Sequence, residues 1–255
     1  MKKVSIIGSG NVATHLAKNL FDKGIIIHSI YSQTIENAQQ LADQVKAQSI
    51  SQLQDLDLSV IDGAIIALKD DIIEDISNQL PESDTIIAHT SGTVPLSALK
   101  KHSKIGVFYP LQTFSKSKTL DFSKVPMCIE GITPDVHANL IELAKSISED
   151  VRSIDSDTRK QIHIAAVFAC NFTNHMLTIA NQQLQQSDQD LSILEPLIRE
   201  TIEKAFTNTP ENVQTGPAAR NDQQVIQKHL NMLEVQPQLQ NIYTQISNSI
   251  INWKK

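Results

Sequence analysis

Two histidines, a cysteine and two asparagines lie within one apolar stretch, IHIAAVFACNFTNH, at residues 162–175. These residue types together suggest a thiol hydrolase. An α-helix rises about 1.5 Å per residue, which separates His163 from Cys170 by roughly 10 Å along one helix face. A nucleophile and its base need about 3 Å. The stretch therefore predicts no thiol dyad. We interpret it as a core helix, central in the second domain or at a dimer seam, in which Cys170 packs, while His163, Asn171 and Asn174 line a pocket wall.

The composition excludes several classes of function. The net charge is −6 and the lysines are scattered, so nucleic acid is not an expected partner. The first apolar run stops at Gly8, too short for a signal peptide or a membrane span, and a cytoplasmic protein is expected. Cys128 and Cys170 lie in apolar surroundings typical of buried, reduced thiols. No CxxC or HExxH motif occurs, and no metal site is predicted.

Short β-branched runs alternate with amphipathic stretches in the first part of the chain, which is typical of parallel sheets. Pro134 opens one of the helices. From Asp157 onward long helical patterns take over, notably at 191–206 and 226–239. We predict a Rossmann-like, doubly wound α/β domain at residues 1–155 and an all-helical domain at 156–255. Strands are expected at 4–7, 25–30, 64–68, 86–88, 105–108, 125–129 and 151–154.

A dinucleotide fingerprint directly follows the first strand in VSIIGSGNVATHL. Gly8 permits a tight turn, Gly10 allows the backbone to approach a pyrophosphate, and Ala13 allows close packing of helix on strand. The N-terminus of the next helix favours phosphate charge. A glycine turn that binds nothing is the alternative, but the strand-turn-helix context favours a nicotinamide dinucleotide.

The end of the second strand bears on the choice between NADP(H) and NAD(H). NAD sites usually place a carboxylate there, whereas this chain has Ser32, Gln33 and Thr34. These side chains favour NADP(H), although the usual arginine is absent and NAD(H) stays possible. Thr34 alternatively caps the next helix. The predicted cofactor-binding residues are Gly8, Ser9, Gly10, Asn11, Val12, Ser32, Gln33, Thr34 and Leu68.

Two further stretches are candidates for substrate contact. HTSGTVP follows the fourth predicted strand and brings His89, Thr90, Ser91 and Gly92 to the mouth of the sheet, where Ser91 and nearby amides could hold a carboxylate or carbonyl. A simple serine-glycine turn before a helix at Pro95 is the alternative. In TGPAARND, residues 215–222, the arginine at 220 could clamp an anion, or it could pair with the following aspartate at a helix end.

Five stretches in order carry a resemblance to a known family: IIGSGNVATHL, AHTSGTVPL, GVFYPLQTFS, HIAAVFACNFTNH and TGPAARND. The chain resembles oxidoreductases with a Rossmann-like domain followed by a DUF2520 domain. These are related to the superfamily of 6-phosphogluconate dehydrogenase, ketopantoate reductase and pyrroline-5-carboxylate reductase. The resemblance implies a bound nicotinamide dinucleotide, a helical domain like the C-terminal domain of 6-phosphogluconate dehydrogenase, and a homodimer formed through that domain.

The resemblance also implies a lysine followed by an asparagine four residues later, which polarises the carbonyl or imine in several relatives. This chain departs from that pattern, because Lys160 is followed by Ile164, and His163 by Val167. We expect the imidazolium of His163 to replace the lysine as proton donor.

Two functions remain open from the sequence. The first is an NADP(H)-dependent reductase of a small carbonyl, hydroxy-acid or imine compound, with His163, Ser91 and Asn171 as catalytic residues. Its substrate contacts would be Ser91, Gly92, Asn174 and Arg220. The second is a non-catalytic dinucleotide-binding redox sensor or assembly module, which the missing lysine favours.

Overall fold

The first part of the chain forms one eight-stranded sheet in the computed structural model, which describes residues 1–115 and 120–253. All seven predicted strands are present. A further short strand, β3, was missed because three residues carry too little alternation to be recognised. The strands are β1 (Lys3–Ile7), β2 (Ile26–Tyr31), β3 (Gln48–Ile50), β4 (Gly63–Ile66), β5 (Ile86–His89), β6 (Ile105–Pro110), β7 (Met127–Gly131) and β8 (Val151–Ser153).

The strand order is β3-β2-β1-β4-β5-β6-β7-β8, and the prediction of a Rossmann-like α/β fold is confirmed. Neighbouring strands are parallel except β6 and β7, which pair antiparallel, so the sheet is mostly rather than wholly parallel. The order reverses between β1 and β4. In open sheets of this kind the crevice for a ligand lies beyond the carboxyl ends of the strands at this point.

Alternating side chains of the strands fill two separate cores. Ile6 of β1 and Ile65 of β4 belong to one core, whereas the next residues, Ile7 and Ile66, belong to the other. This alternation with a period of two is expected for the pleated strands of a sheet that is covered on both faces. The helices that cover the sheet are α1 (Asn11–Asp22), α2 (Ile35–Val45), α3 (Ile73–Gln79) and α4 (Pro134–Lys145).

Helices replace strands after β8, as predicted. One predicted helical stripe, residues 226–239, is broken because Pro237 cannot continue a helix and instead opens the next one. Residues 191–194 form a 3₁₀ turn before their helix, and the helix expected at Pro95 is a short 3₁₀ turn. The helices are α5 (Ser156–Ala166), α6 (Thr173–Gln185), α7 (Glu195–Thr207), α8 (Pro210–Val213), α9 (Gln223–Met232) and α10 (Pro237–Trp253).

A π-helical segment, Val167–Phe172, joins α5 to α6. The prediction of a core helix is wrong for the single chain: Arg159 is the one buried residue of α5, and Phe168 and Phe172 are about half to two-thirds exposed. Cys128 is buried as expected, whereas Cys170 is exposed because its turn faces away from the sheet unit's two cores.

The run Ser156–Gln185 is apolar and long enough to cross a membrane by length and composition. This composition does not show a membrane protein, since Arg159 on its second turn is buried among polar groups of the sheet unit.

The chain divides into two compact units, Met1–His175 and Met176–Lys255. The predicted boundary between residues 155 and 156 coincides with the change from strands to helices. The compact units divide further along, because Arg159 and His163 of α5 make their hydrogen bonds with residues of the sheet unit.

Candidate functional site

The glycine loop after β1 has the geometry that its sequence predicts. Gly8 has φ +133°, and a Cβ there would lie 2.3 Å from the Ala67 carbonyl oxygen, so only glycine fits. A Cβ on Gly10 would meet no atom within 4 Å, so the backbone faces open space at the start of α1. Ala13 is fully buried between helix and strand. The loop can therefore receive a phosphate on exposed backbone.

A cavity of about 540 Å³ opens beside this loop at the reversal of strand order. Its volume is typical of a site for a small molecule or cofactor. It brings together most of the predicted site residues with several that were not predicted. The lining residues are Ser9, Gly10, Asn11, Val12, Tyr31, Ser32, Gln33, Thr34, Ala67, Leu68, Lys69, Asp70, Ile72, Ile76, Thr90, Ser91, Gly92, Tyr109, Pro110, Gln112 and His163.

Neutral hydroxyls line one end of the cavity, beyond β2. The Ser9 hydroxyl donates to the Ser32 hydroxyl at 3.0 Å, and the amide of Thr34 lies 3.4 Å from the same oxygen. Thr34 stands at the N-cap of α2 but its side chain makes no capping hydrogen bond, so its hydroxyl is free for a ligand. Gln33 is exposed beside it. Lys69 is the one lysine or arginine among the described residues that line the cavity.

Hydrogen bonds among its own residues and their neighbours stabilise the Ser91–Gly92 turn. The Ser91 hydroxyl accepts hydrogen bonds from the amides of Thr93 and Val94, each at 3.0 Å, which is the serine turn considered as the alternative. The Ser91 amide donates to Nδ1 of His89 at 3.1 Å. Ser91 still lines the cavity, but its amide is not available to a substrate.

His89 does not reach the mouth of the sheet, contrary to expectation. It is fully buried, because β5 continues to this residue and directs it into the protein interior. Burial, with the nearby charge of Arg159, lowers the pKa of His89 to about 4. The imidazole is therefore neutral, and its Nδ1 accepts the Ser91 amide. His89 thus stabilises the turn from the protein interior through this hydrogen bond.

His163 faces the same turn from the helix side. Its Nδ1 lies 3.1 Å from the hydroxyl of Tyr109 on β6. A Cβ on Gly92 would lie 2.4 Å from that Nδ1 and 3.0 Å from Cζ of Tyr109. Glycine at position 92 is thus required for the two rings to meet over the turn. The sequence indicated His163 and Gly92 separately but not this contact.

Arg159, one helical turn before His163, anchors α5 to the turn. Its side chain is fully buried, and it donates to the carbonyl oxygens of Ser91 at 3.1 Å and Val94 at 2.6 Å. Its Nη1 lies 2.6 Å from Oε2 of Glu130 on β7. A buried guanidinium needs this number of partners, because each unpaired N–H would be costly away from water.

Two predicted site residues, the catalytic candidate Asn171 and the substrate contact Asn174, are exposed and do not line this cavity. The π-helical segment changes the rotation of α6 relative to α5, so the single stripe predicted from an ideal α-helix is not kept. Arg220 lies in the helical unit at the end of a 3₁₀ turn, exposed. The described residues give it no ion pair with Asp222, which instead caps α9.

Sequence reasoning gave no role to Tyr109, Arg159 and Lys69, although Tyr109 lies in GVFYPLQTFS, one of the stretches that carry the resemblance. Tyr109 lies one residue beyond the predicted end of β6, at the carboxyl edge where ligands bind, and this position was an available signal. Arg159 shares a helix face with His163 by its four-residue spacing, which was also visible. Lys69 falls in the loop after β4, but no sequence signal separates it from an ordinary surface lysine.

Known families match the two parts of the chain. The family described as "Domain of unknown function (DUF2520)" matches residues 125–250, and "Shikimate / quinate 5-dehydrogenase" matches residues 1–70. The crystal structure of a "putative NADP oxidoreductase" from Bacteroides fragilis is 38% identical, with 98% of each chain covered and a TM-score of 0.90. The chain therefore belongs to the family of Rossmann-type oxidoreductases that carry a DUF2520 domain.

More distant relatives share the fold. A 1-pyrroline-5-carboxylate reductase from Streptococcus pyogenes is 14% identical, with 98% of each chain covered and a TM-score of 0.64. Glutamyl-tRNA reductase from Legionella pneumophila is 26% identical over 211 residues, which are 74% of this chain but 43% of that protein. The chain thus spans less than half the length of the curated relatives it matches. The fold, the glycine loop and the family together define a dinucleotide-dependent oxidoreductase.

We predict that Arg159→Met lowers the free energy of unfolding by about 3 kcal/mol, because it leaves Glu130 and two buried carbonyl groups without their partner. Urea denaturation measures this change. Lys160→Met is the matched control, since Lys160 forms only an exposed ion pair with Asp157, and it should change stability by less than about 0.5 kcal/mol. Equal, small changes in both variants would show that the buried network does not stabilise the unit.

Proposed function

We propose that this protein is an NADP(H)-dependent oxidoreductase that transfers a hydride between the nicotinamide and a small carbonyl, hydroxy-acid or imine compound. One observation carries the proposal. The cavity that begins at the glycine loop of β1 also contains His163, paired with Tyr109 over the Ser91–Gly92 turn. A dinucleotide-binding loop and a proton-donating pair thus line one cavity.

The residues present fit a nicotinamide dinucleotide. The open space at Gly10 and the start of α1 suits its pyrophosphate, with Ser9, Asn11 and Val12 around it. Leu68 supplies an apolar wall beyond β4. When bound, the cofactor supplies the hydride, and the protein supplies position, electrostatics and protons.

The end of β2 supports NADP(H) over NAD(H). Ser32, Gln33 and Thr34 offer neutral hydrogen-bonding groups there, without the carboxylate that would repel a 2′-phosphate. Lys69 lines the same cavity and offers a positive charge where the usual arginine is absent. The crystal structure from Bacteroides fragilis, at 38% identity, is that of a "putative NADP oxidoreductase", which also supports this assignment.

In this proposal His163 donates the proton that accompanies hydride transfer. As the substrate carbon accepts the hydride, negative charge develops on the attached oxygen or nitrogen, and a positioned imidazole can protonate it. Ser91 and Gly92 would orient the substrate beside His163. Asn171 stays a predicted catalytic residue, and Asn174 and Arg220 stay predicted substrate contacts.

We also propose that the protein is a cytoplasmic homodimer formed through its helical unit. Several large apolar side chains on one segment of that unit are exposed in the single chain, which is costly unless another surface covers them. They are Ile193, Leu197, Ile202 and Phe206. A second copy is the partner that the family resemblance implies.

Gln33→Glu should weaken NADPH binding about tenfold, or ~1.4 kcal/mol, while leaving NADH binding nearly unchanged, because the new carboxylate would repel the 2′-phosphate. Titration calorimetry with both nucleotides measures the effect. Gln40→Glu adds the same charge on the exposed face of α2, outside the cavity, and should leave both affinities unchanged. A Gln33→Glu protein that prefers NADPH as strongly as before would contradict the placement of the 2′-phosphate.

His163→Gln should lower kcat by about 10²-fold or more while NADPH still binds, because the glutamine amide cannot give up a proton. The purified protein would be tested with NADPH against 2-oxo acids, aldehydes and cyclic imines, following absorbance at 340 nm. His137→Gln is the control, since His137 lies on α4, outside the cavity, and should keep full activity.

Two results would reject this reductase. Tight NADPH binding without turnover of any compound would favour the non-catalytic dinucleotide-binding module. Failure to bind either nucleotide would reject both functions.

Sedimentation should show a mass of twice 28.3 kDa at micromolar concentration, and Leu197→Glu should yield the monomer, because it places charge in the proposed interface. Val60→Glu, an equivalent change at an exposed residue of the sheet unit, should leave the dimer intact. A wild-type monomer, or a Leu197→Glu dimer of unchanged affinity, would contradict the proposed interface.

A further inference from the structure

Tyr109 is a polar residue of the cavity to which the proposed function has given no role. Its hydroxyl lies 3.1 Å from Nδ1 of His163, within hydrogen-bond distance. Burial raises the pKa of Tyr109 to about 12, with smaller contributions from Cys128 and Asp70. The phenol therefore keeps its proton at any physiological pH and can donate it to Nδ1.

This contact also determines which ring nitrogen faces a ligand. A neutral imidazole has one donor and one acceptor nitrogen. If Nδ1 accepts from Tyr109, the hydrogen of the neutral ring is on Nε2. The described residues provide no hydrogen-bond partner for Nε2, so this atom is free to meet a substrate in the cavity.

The charged and titratable groups around the pair are few. Asp70 and Cys128 disfavour the loss of the Tyr109 proton, whereas the buried guanidinium of Arg159 favours it. His89 lies beneath the turn and is neutral. Asp70 accepts a hydrogen bond from the Thr93 hydroxyl, and Arg159 is paired with Glu130. The tyrosine is therefore the nearest group that can resupply a proton to His163 through a direct hydrogen bond.

We propose that Tyr109 is the proton source for the reaction and acts through His163, so that the two side chains form a relay. This inference rests on the proposed reductase function. It differs from protonation by an imidazolium, because the relay works with the neutral form of His163. Tyr109 is thus a positioning and proton-supplying residue that need not touch the substrate.

The relay balances in atoms and charge. The carbonyl carbon would accept the hydride that a bound nicotinamide cofactor supplies, and the C=O π pair would move to oxygen. That oxygen takes the proton of Nε2–H, while Nδ1 takes the proton of the Tyr109 hydroxyl. The imidazole ends neutral, and the charge is left on the phenolate, a weaker base than the alkoxide it replaces. A proton from water at the mouth of the cavity then binds Nε2, and Nδ1–H returns its proton to the phenolate, so that both side chains regain their starting forms. For an imine, nitrogen takes the place of the oxygen.

Neighbouring residues fix the position of His163 relative to Tyr109 for this proton transfer. A Cβ at position 92 would displace both rings, so the rings can approach each other this closely only because residue 92 is glycine. Arg159 fixes the turn and the helix that carries His163. The relay is thereby held by backbone and buried side chains, as efficient proton transfer requires.

The pH profile of kcat/KM tests the relay with NADPH and the compound of the panel that is reduced fastest. The wild type should change less than about threefold between pH 6.5 and 9, because neutral His163 is competent. In Tyr109→Phe only the imidazolium can donate, and the share of imidazolium falls as the pH rises. The kcat/KM of this variant should therefore fall with rising pH where that of the wild type stays flat, by about 10²-fold between pH 6.5 and 9.

Tyr243→Phe is the matched control. Tyr243 makes the same contact with Nδ1 of His229, at 2.8 Å, within the helical unit and outside the cavity. This variant should keep the flat wild-type profile. The NADPH dissociation constant and the unfolding transition of Tyr109→Phe should stay close to those of the wild type, which separates loss of the relay from loss of structure.

Three results would overturn the relay. The first is a wild-type kcat/KM that itself falls about 10²-fold between pH 6.5 and 9, a result that needs no variant. The second is a Tyr109→Phe protein with the wild-type rate and profile. The third is turnover of no compound by the wild type, which rejects the proposed function as well, whereas the first two reject the relay alone.

Discussion

The buried guanidinium of Arg159 is the interaction on which the site depends. It comes from α5, after the last strand, and binds the backbone of the turn after β5 and the carboxylate of Glu130 on β7. Its side chain is completely excluded from solvent, so its contacts are set by the need to satisfy every donor. This requirement fixes the start of α5 against the sheet, and His163 follows one turn later on the same face.

A second constraint comes from the sheet. The reversal of strand order between β1 and β4 creates the crevice, and two glycines shape its ends. Gly8 fits beneath the Ala67 carbonyl where a side chain would collide, and Gly92 leaves room for His163 and Tyr109. In the proposed function, the first position serves the dinucleotide and the second serves the chemistry. Both are close approaches of backbone that only glycine allows.

Much of the fold could be predicted because strands covered on both faces leave strong β-branched runs, as at β1, β4 and β5. The three-residue β3 escaped prediction, and so did the antiparallel direction of β7, since register and direction depend on long-range pairing and not on local pattern. The glycine loop could likewise be predicted, from the spacing of its glycines. The pairing of Tyr109 with His163 was not, because the two residues are distant in sequence and meet only through the fold.

The helical run after β8 shows the limit of helical periodicity most clearly. An ideal α-helix places His163, Cys170 and Asn174 on one stripe, but a π-helical segment interrupts it and Cys170 is exposed. The apolar residues of this run were expected in a core, whereas the single chain leaves many of them in solvent, as it does several of those on α7. Apolar periodicity identifies a helix face that is buried in the folded protein. It does not tell whether residues of the same chain or of another molecule bury it.

The central claim is that one cavity holds both the dinucleotide and the proton-donating pair. A crystal structure with NADPH bound tests it most directly. We expect the pyrophosphate at the Gly8–Val12 loop, the 2′-phosphate near Ser32 and Thr34, and the nicotinamide ring beside His163. The Tyr109 hydroxyl should still be hydrogen-bonded to Nδ1 of His163. A nicotinamide ring directed away from His163, or a nucleotide bound elsewhere on the chain, would contradict it.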